Sequence, residues 1–103
     1  MASPVPGVNE DDWDLILKHL SRLLEQGTIV YIYGSRQRGS HKTYSDLDIS
    51  LKAPSKISST TMRSLADILA ESDITYKIDL TDFNNLDTDF QTHILENSVA
   101  VDL

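Results

Sequence analysis

Tyr33-Gly-Ser-Arg-Gln-Arg-Gly-Ser-His-Lys-Thr-Tyr-Ser-Asp-Leu-Asp48, followed after a helix-sized interval by Ile78-Asp79-Leu80, is the stretch whose reading decides the fold. It joins a Gly-Ser turn after an apolar run, a basic segment free of acids, and two carboxylates one residue apart. Asp46 and Asp48 alternate with Leu47, Ile49 and Leu51, so the strand period of two puts both acids on one face and the aliphatics on the other. Their Cα atoms are expected roughly 6.5–7 Å apart. A second run repeats the pattern over Ile74 to Leu80, with Ile74, Tyr76, Ile78 and Leu80 on one face and Thr75, Lys77 and Asp79 on the other.

If the two strands are neighbours in one sheet, Asp46, Asp48 and Asp79 converge. Three close carboxylates repel one another unless cations neutralise them, and hard oxygen ligands of this kind favour Mg²⁺ or Mn²⁺. Taken singly, an Asp on a strand is more often a solvated surface residue. The Gly-Ser turn eleven residues upstream makes the pair Asp46 and Asp48 more specific. Gly34 lets the backbone turn sharply, and Ser35 is expected to cap a short helix whose free N–H groups face phosphate. An EF-hand loop is excluded by Ser50 and Leu51 at its fifth and sixth positions. Gly34 and Gly39 have P-loop spacing, but Ser40-His41 stand where Lys-Ser/Thr is required.

These residues, Gly34-Ser35, Gly39, Ser45-Asp46-Leu47-Asp48 and the later Asp79, closely resemble the minimal nucleotidyltransferases, the MNT family of the DNA polymerase beta-like nucleotidyltransferase superfamily. The likeness runs from Thr28 to the C-terminus. It implies an α+β fold, a small mixed β-sheet with helices packed mainly on one face, in the order α-β-α-β-α-β-α. It also implies that Gly34, Ser35, Ser45 and Arg36 bind the triphosphate of ATP, and that Asp46, Asp48 and Asp79 are catalytic and hold two Mg²⁺ ions. Minimal members of the family neutralise a HEPN-domain toxin by transferring AMP to one of its tyrosines. The resemblance therefore implies an ATP-dependent protein adenylyltransferase acting as an antitoxin. Two alternatives stay open: a small-molecule, aminoglycoside-type nucleotidyltransferase with its acceptor pocket across a homodimer, and a non-catalytic nucleotide-binding module that inhibits its partner by contact. The stretch after Asp79 is too short for an acceptor-binding domain, so the acceptor is expected on another molecule or a second copy of the chain.

A length of 103 residues and an apolar content of 40% fit one modest globular domain, expected over residues 9–103 behind a flexible lead-in over 1–8. The absence of cysteine rules out disulfides and thiolate zinc sites. The N-terminus lacks the basic and apolar regions of a secretory signal, and no apolar run approaches membrane-spanning length. A cytoplasmic protein without membrane contact is expected. A net charge of −7 opposes direct nucleic-acid binding, which rests on neutralising phosphates. No acid lies between Glu25 and Asp46, however, while Arg36, Arg38, His41 and Lys42 cluster there, a patch sized for one triphosphate.

The remaining elements follow from pattern. Trp13, Ile16, Leu17, Leu20, Leu23 and Leu24 keep a helical stripe, with Asn9 as N-cap, Glu10 to Asp12 at the positive helix end, and Gly27 at C′. Thr28 to Tyr33 is apolar on both faces, as an interior strand is. Ser58, Ser59 and Thr60 offer N-caps to a helix burying Met62, Leu65, Ala66, Ile68 and Leu69. Leu86, Phe90, Ile94 and Leu95 have helical spacing, and Val99-Ala-Val101 is expected to cover a sheet edge. Asp82, Asp87, Asp89 and Glu96 are expected on a solvated face, and His19 and His93 in structural roles.

Overall fold

The computed structural model describes residues 8–33 and 46–103. Helix α1 (Glu10–Leu23) starts where expected: Asn9 Oδ1 accepts from the Asp12 amide at 2.8 Å, and three acids fill the positive first turn. Such a cap contributes about 1 kcal/mol. The stripe Trp13, Ile16 and Leu20 is fully buried, each side chain contributing about 1.5–3 kcal/mol. The helix ends at Leu23, earlier than a C′ glycine at position 27 would require. Gly27 instead adopts φ of 93° in the turn that Thr28 closes onto the Glu25 carbonyl.

Strands β1 (Ile29–Tyr33), β2 (Leu47–Lys52), β3 (Ile78–Asp82) and β4 (Val99–Asp102) form one mixed sheet in the order β3-β2-β1-β4. β1 is interior and antiparallel to both neighbours, while β2 and β3 run parallel. The parallel pair needs a crossover, and α2 (Ser59–Ala70) supplies it, capped by Ser58 Oγ accepting from the Thr61 amide at 3.0 Å. α2 buries Leu65 and Leu69; Ala66, expected beside them, is exposed.

Alternation sorts the strands. Val30, Ile32, Leu47, Ile49 and Leu51 pack with Trp13, Ile16, Leu20, Leu65 and Leu69 in the main core. On the opposite face Tyr31 and Tyr33 form a smaller cluster with Phe83 and Ile94, from a 3₁₀ turn (Phe83–Asn85) and α3 (Thr88–Glu96). The expected mixed sheet with helices is therefore present, two helices covering one face and α3 lying against the other. The short helix expected after Ser35 lies outside the described residues. Val8, expected in a flexible lead-in, is buried in the main core.

The third strand is displaced from the expected Ile74–Leu80. β3 has β2 as its neighbour, and pairing begins where β2 begins, at Leu47 opposite Ile78. Ile74 and Tyr76 spend their apolar surface on the core instead, and the Tyr76 hydroxyl donates to Asp12 Oδ2 at 3.1 Å. The acids of the tail are not all solvated. Asp82 is 8% exposed and its Oδ1 accepts from the Asn84 amide; Asp87, Asp89 and Glu96 are exposed as expected, and Asp87 also caps α3, accepting from the Phe90 amide at 2.8 Å.

Candidate active site

The sheet register assembles the site. Tyr33 on β1 stands opposite Asp48 on β2, and Asp48 stands opposite Asp79 on β3. All three belong to one transverse row, on the face away from α1 and α2. Behind it lies a second row, Tyr31, Ser50 and Thr81. Adjacent strands are about 4.8 Å apart, so the Asp48 and Asp79 carboxylates are near neighbours.

Electrostatics bear the mark of that crowding. The Asp48 carboxyl titrates above the ordinary value, first because burial disfavours its charge, then because Asp79 and Asp46 are negative neighbours; Lys77 opposes the rise. Lys77 Nζ reaches Asp79 Oδ1 at 3.9 Å, with both side chains largely exposed. The Tyr33 phenol is likewise raised, by burial first and then by Asp48 and Asp79, against a hydrogen bond with Thr81 that lowers it. Thr81 in turn donates to the Ile49 carbonyl at 3.4 Å. Tyr33 therefore stays a neutral phenol beside two acids.

Of the three acids read from the sequence, the strand ladder positions Asp48 and Asp79. Asp46 precedes β2 and is exposed, two residues from Asp48 on the same alternation, close enough to perturb it. Among the described residues, no three acidic, histidine or cysteine side chains are already gathered tightly enough to hold a metal ion. The donor chemistry nonetheless suits a hard divalent cation. The donors are carboxylate oxygens, and the half-buried one carries a charge its surroundings disfavour. Gly34, Ser35, Arg36 and Ser45, expected to hold phosphate, lie outside the described residues.

Sequence reasoning missed Tyr33 and Thr81 as neighbours of the acids. Their alternation was readable, but only the register shows that they share the row. A groove between α2 and the start of β3, lined by Leu69, Ile74, Tyr76, Lys77 and Asp79, opens beside the row on the sheet's β3 edge. No described helix is long and apolar enough to cross a membrane.

Known proteins resemble this chain in sequence and in fold. Residues 10–101 match the family described as "Polymerase beta, Nucleotidyltransferase". A probable protein adenylyltransferase, MntA of Haemophilus influenzae, is 29% identical over 86 residues, spanning 84% of this chain and 75% of that relative. Among solved structures, a toxin–antitoxin complex with AMP-PNP superposes with a TM-score of 0.74 at 24% identity, over 84% of this chain and 69% of that one. A complex of tri-AMPylated Shewanella oneidensis HEPN toxin with its MNT antitoxin gives a TM-score of 0.66 at 24% identity, over 84% and 66%. At those identities the structural likeness speaks for the fold.

Proposed function

Because the chain belongs to the polymerase beta nucleotidyltransferase family, matched over residues 10–101, we propose that it moves AMP from ATP to a hydroxyl of a partner protein. The acceptor in this reading is a tyrosine of a HEPN-domain toxin, and the chain is that toxin's antitoxin. The observation that carries the reading is the row itself: Asp48 directly opposite Asp79, with the Asp48 carboxyl pushed up by burial and by its acidic neighbours. A site that concentrates negative charge on a half-buried carboxylate is arranged for a counter-cation. The relative named a protein adenylyltransferase supports the acceptor class.

In this reading Asp46, Asp48 and Asp79 hold Mg²⁺, with Mn²⁺ as a substitute. When bound, the metal neutralises triphosphate charge and polarises the reacting oxygens. The chain's own groups do the rest. The amides at Gly34 and Ser35, the Ser45 hydroxyl and the Arg36 guanidinium grip the β- and γ-phosphates. Asp79, the more exposed of the two ladder acids, takes the proton of the acceptor hydroxyl. The acceptor oxygen bonds to the α-phosphorus, the bond to the β-phosphate oxygen breaks, and pyrophosphate leaves. Positioning and charge neutralisation supply most of the rate.

The test is incubation of the chain with α-labelled ATP, Mg²⁺ and the product of the neighbouring reading frame. Label on the partner with the wild-type chain, absent with Asp48→Asn, supports protein adenylylation. An unlabelled partner with the wild-type chain overturns it.

A further inference from the structure

α3 carries a phenyl group whose exposure packing does not account for. Ile94 is fully buried against the sheet, while Phe90, one turn earlier on the same stripe, is 40% exposed. Phe90 meets the Tyr33 ring edge-on, with centroids 5.9 Å apart and planes at 82°. On its other side it lies 6.0 Å from the His93 ring. Its free surface looks into a groove that it shares with Asp87, Thr88, Asp89 and His93. The other large apolar side chains exposed among the described residues, Leu23 and Leu95, are aliphatic.

Position gives this aromatic surface its meaning. Tyr33 is in the same row as Asp48 and Asp79. A nucleotide held by its phosphates at that row has its base left over, and the Phe90 ring lies 5.9 Å from that of Tyr33 at the end of the row. Purine rings stack on exposed aromatic faces, and the one ring in the row, Tyr33, is only 9% exposed where Phe90 is 40% exposed.

We propose that Phe90, backed by Tyr33 and flanked by His93, is the platform on which the purine base of the nucleoside triphosphate stacks. The inference rests on the reading of the row as a nucleotide site and adds the place of the base. Stacking on a phenyl face selects for a ring without selecting which purine.

The test compares two ligands that share phosphates and differ in the base: ATP and inorganic tripolyphosphate, each titrated calorimetrically into the full chain with Mg²⁺. Phe90→Ala is expected to weaken ATP about tenfold, the size of one base–aromatic stack. Tripolyphosphate affinity is expected to stay as in the wild type, and Phe90→Tyr, which keeps the ring, to keep ATP affinity. Equal losses for both ligands would mark a structural role and overturn the proposal. So would unchanged ATP binding in Phe90→Ala, including the case where only the KM of a tyrosine acceptor rises. A wild-type chain that binds tripolyphosphate as tightly as ATP would overturn the base platform alone. One that binds neither would overturn the nucleotide reading as well.

Discussion

Asp48 and Asp79 face each other across the parallel pair of β2 and β3, and Lys77, 3.9 Å from Asp79 and opposing the rise at Asp48, offsets their repulsion only in part. Like charges directly opposite in a sheet cost about 0.2–1 kcal/mol. Asp79→Asn is therefore expected to stabilise the metal-free fold by that amount in urea unfolding, while lowering transfer by on the order of a hundredfold or more. Stability and activity moving together would contradict the assignment of a charged functional pair.

The raised Asp48 carboxyl sets a direction for pH. Its pKa in the unfolded chain is near the ordinary 3.8 and is higher in the fold, so between the two values the folded state binds more protons. Stability from this group is then greatest below the ordinary value and declines as pH rises through the folded pKa. Urea unfolding of wild type and Asp48→Asn across the acidic range is expected to show the wild type losing ground to the variant as pH rises. Removal of Mg²⁺ by chelation is expected to leave that loss undiminished, and addition of Mg²⁺ to reduce it.

Tyr33 stays protonated beside the acids, sharing a hydrogen bond with Thr81. Tyr33→Phe removes one partly buried hydrogen bond and is expected to cost about 1 kcal/mol. Because the ring and its edge contact to Phe90 remain, transfer is expected to fall far less than in Asp48→Asn, as compared by initial rates with labelled ATP.

Gly27 holds φ of 93°, and among the described residues a Cβ added there would meet Pro54 Cγ alone, at 3.5 Å. Space is adequate and the backbone conformation is the obstacle. Gly27→Ala is expected to lower stability by about 1–2 kcal/mol with no change in nucleotide affinity, since the turn lies at the end of β1 opposite Tyr33.

Local chemistry was readable wherever a residue acts on its own neighbours in the chain. Asn9 and Ser58 cap helices because a short side-chain oxygen reaches an amide three residues on, wherever the helix later packs. The alternation of Asp48 with Leu47 and Ile49 assigns faces without knowledge of the partner strand. Asp82 departs from the solvated face its sequence suggests because its burial depends on the end of β3 and the following 3₁₀ turn, not on its own flanks. Gly27 has the signature of a helix C′, a glycine after a helical stripe, but the turn that uses it is closed by Thr28.

By itself, then, the chain's order of residues determined the helices, their caps and the faces of the strands, since these follow from backbone period and from hydrogen bonds a few residues long; it did not determine where β3 begins. Only the tertiary structure decided which acids meet. Strand register is a relation between segments distant in sequence, set by the core that α1 and α2 build on one face. That relation puts Asp79 beside Asp48 and draws Tyr33 into their row.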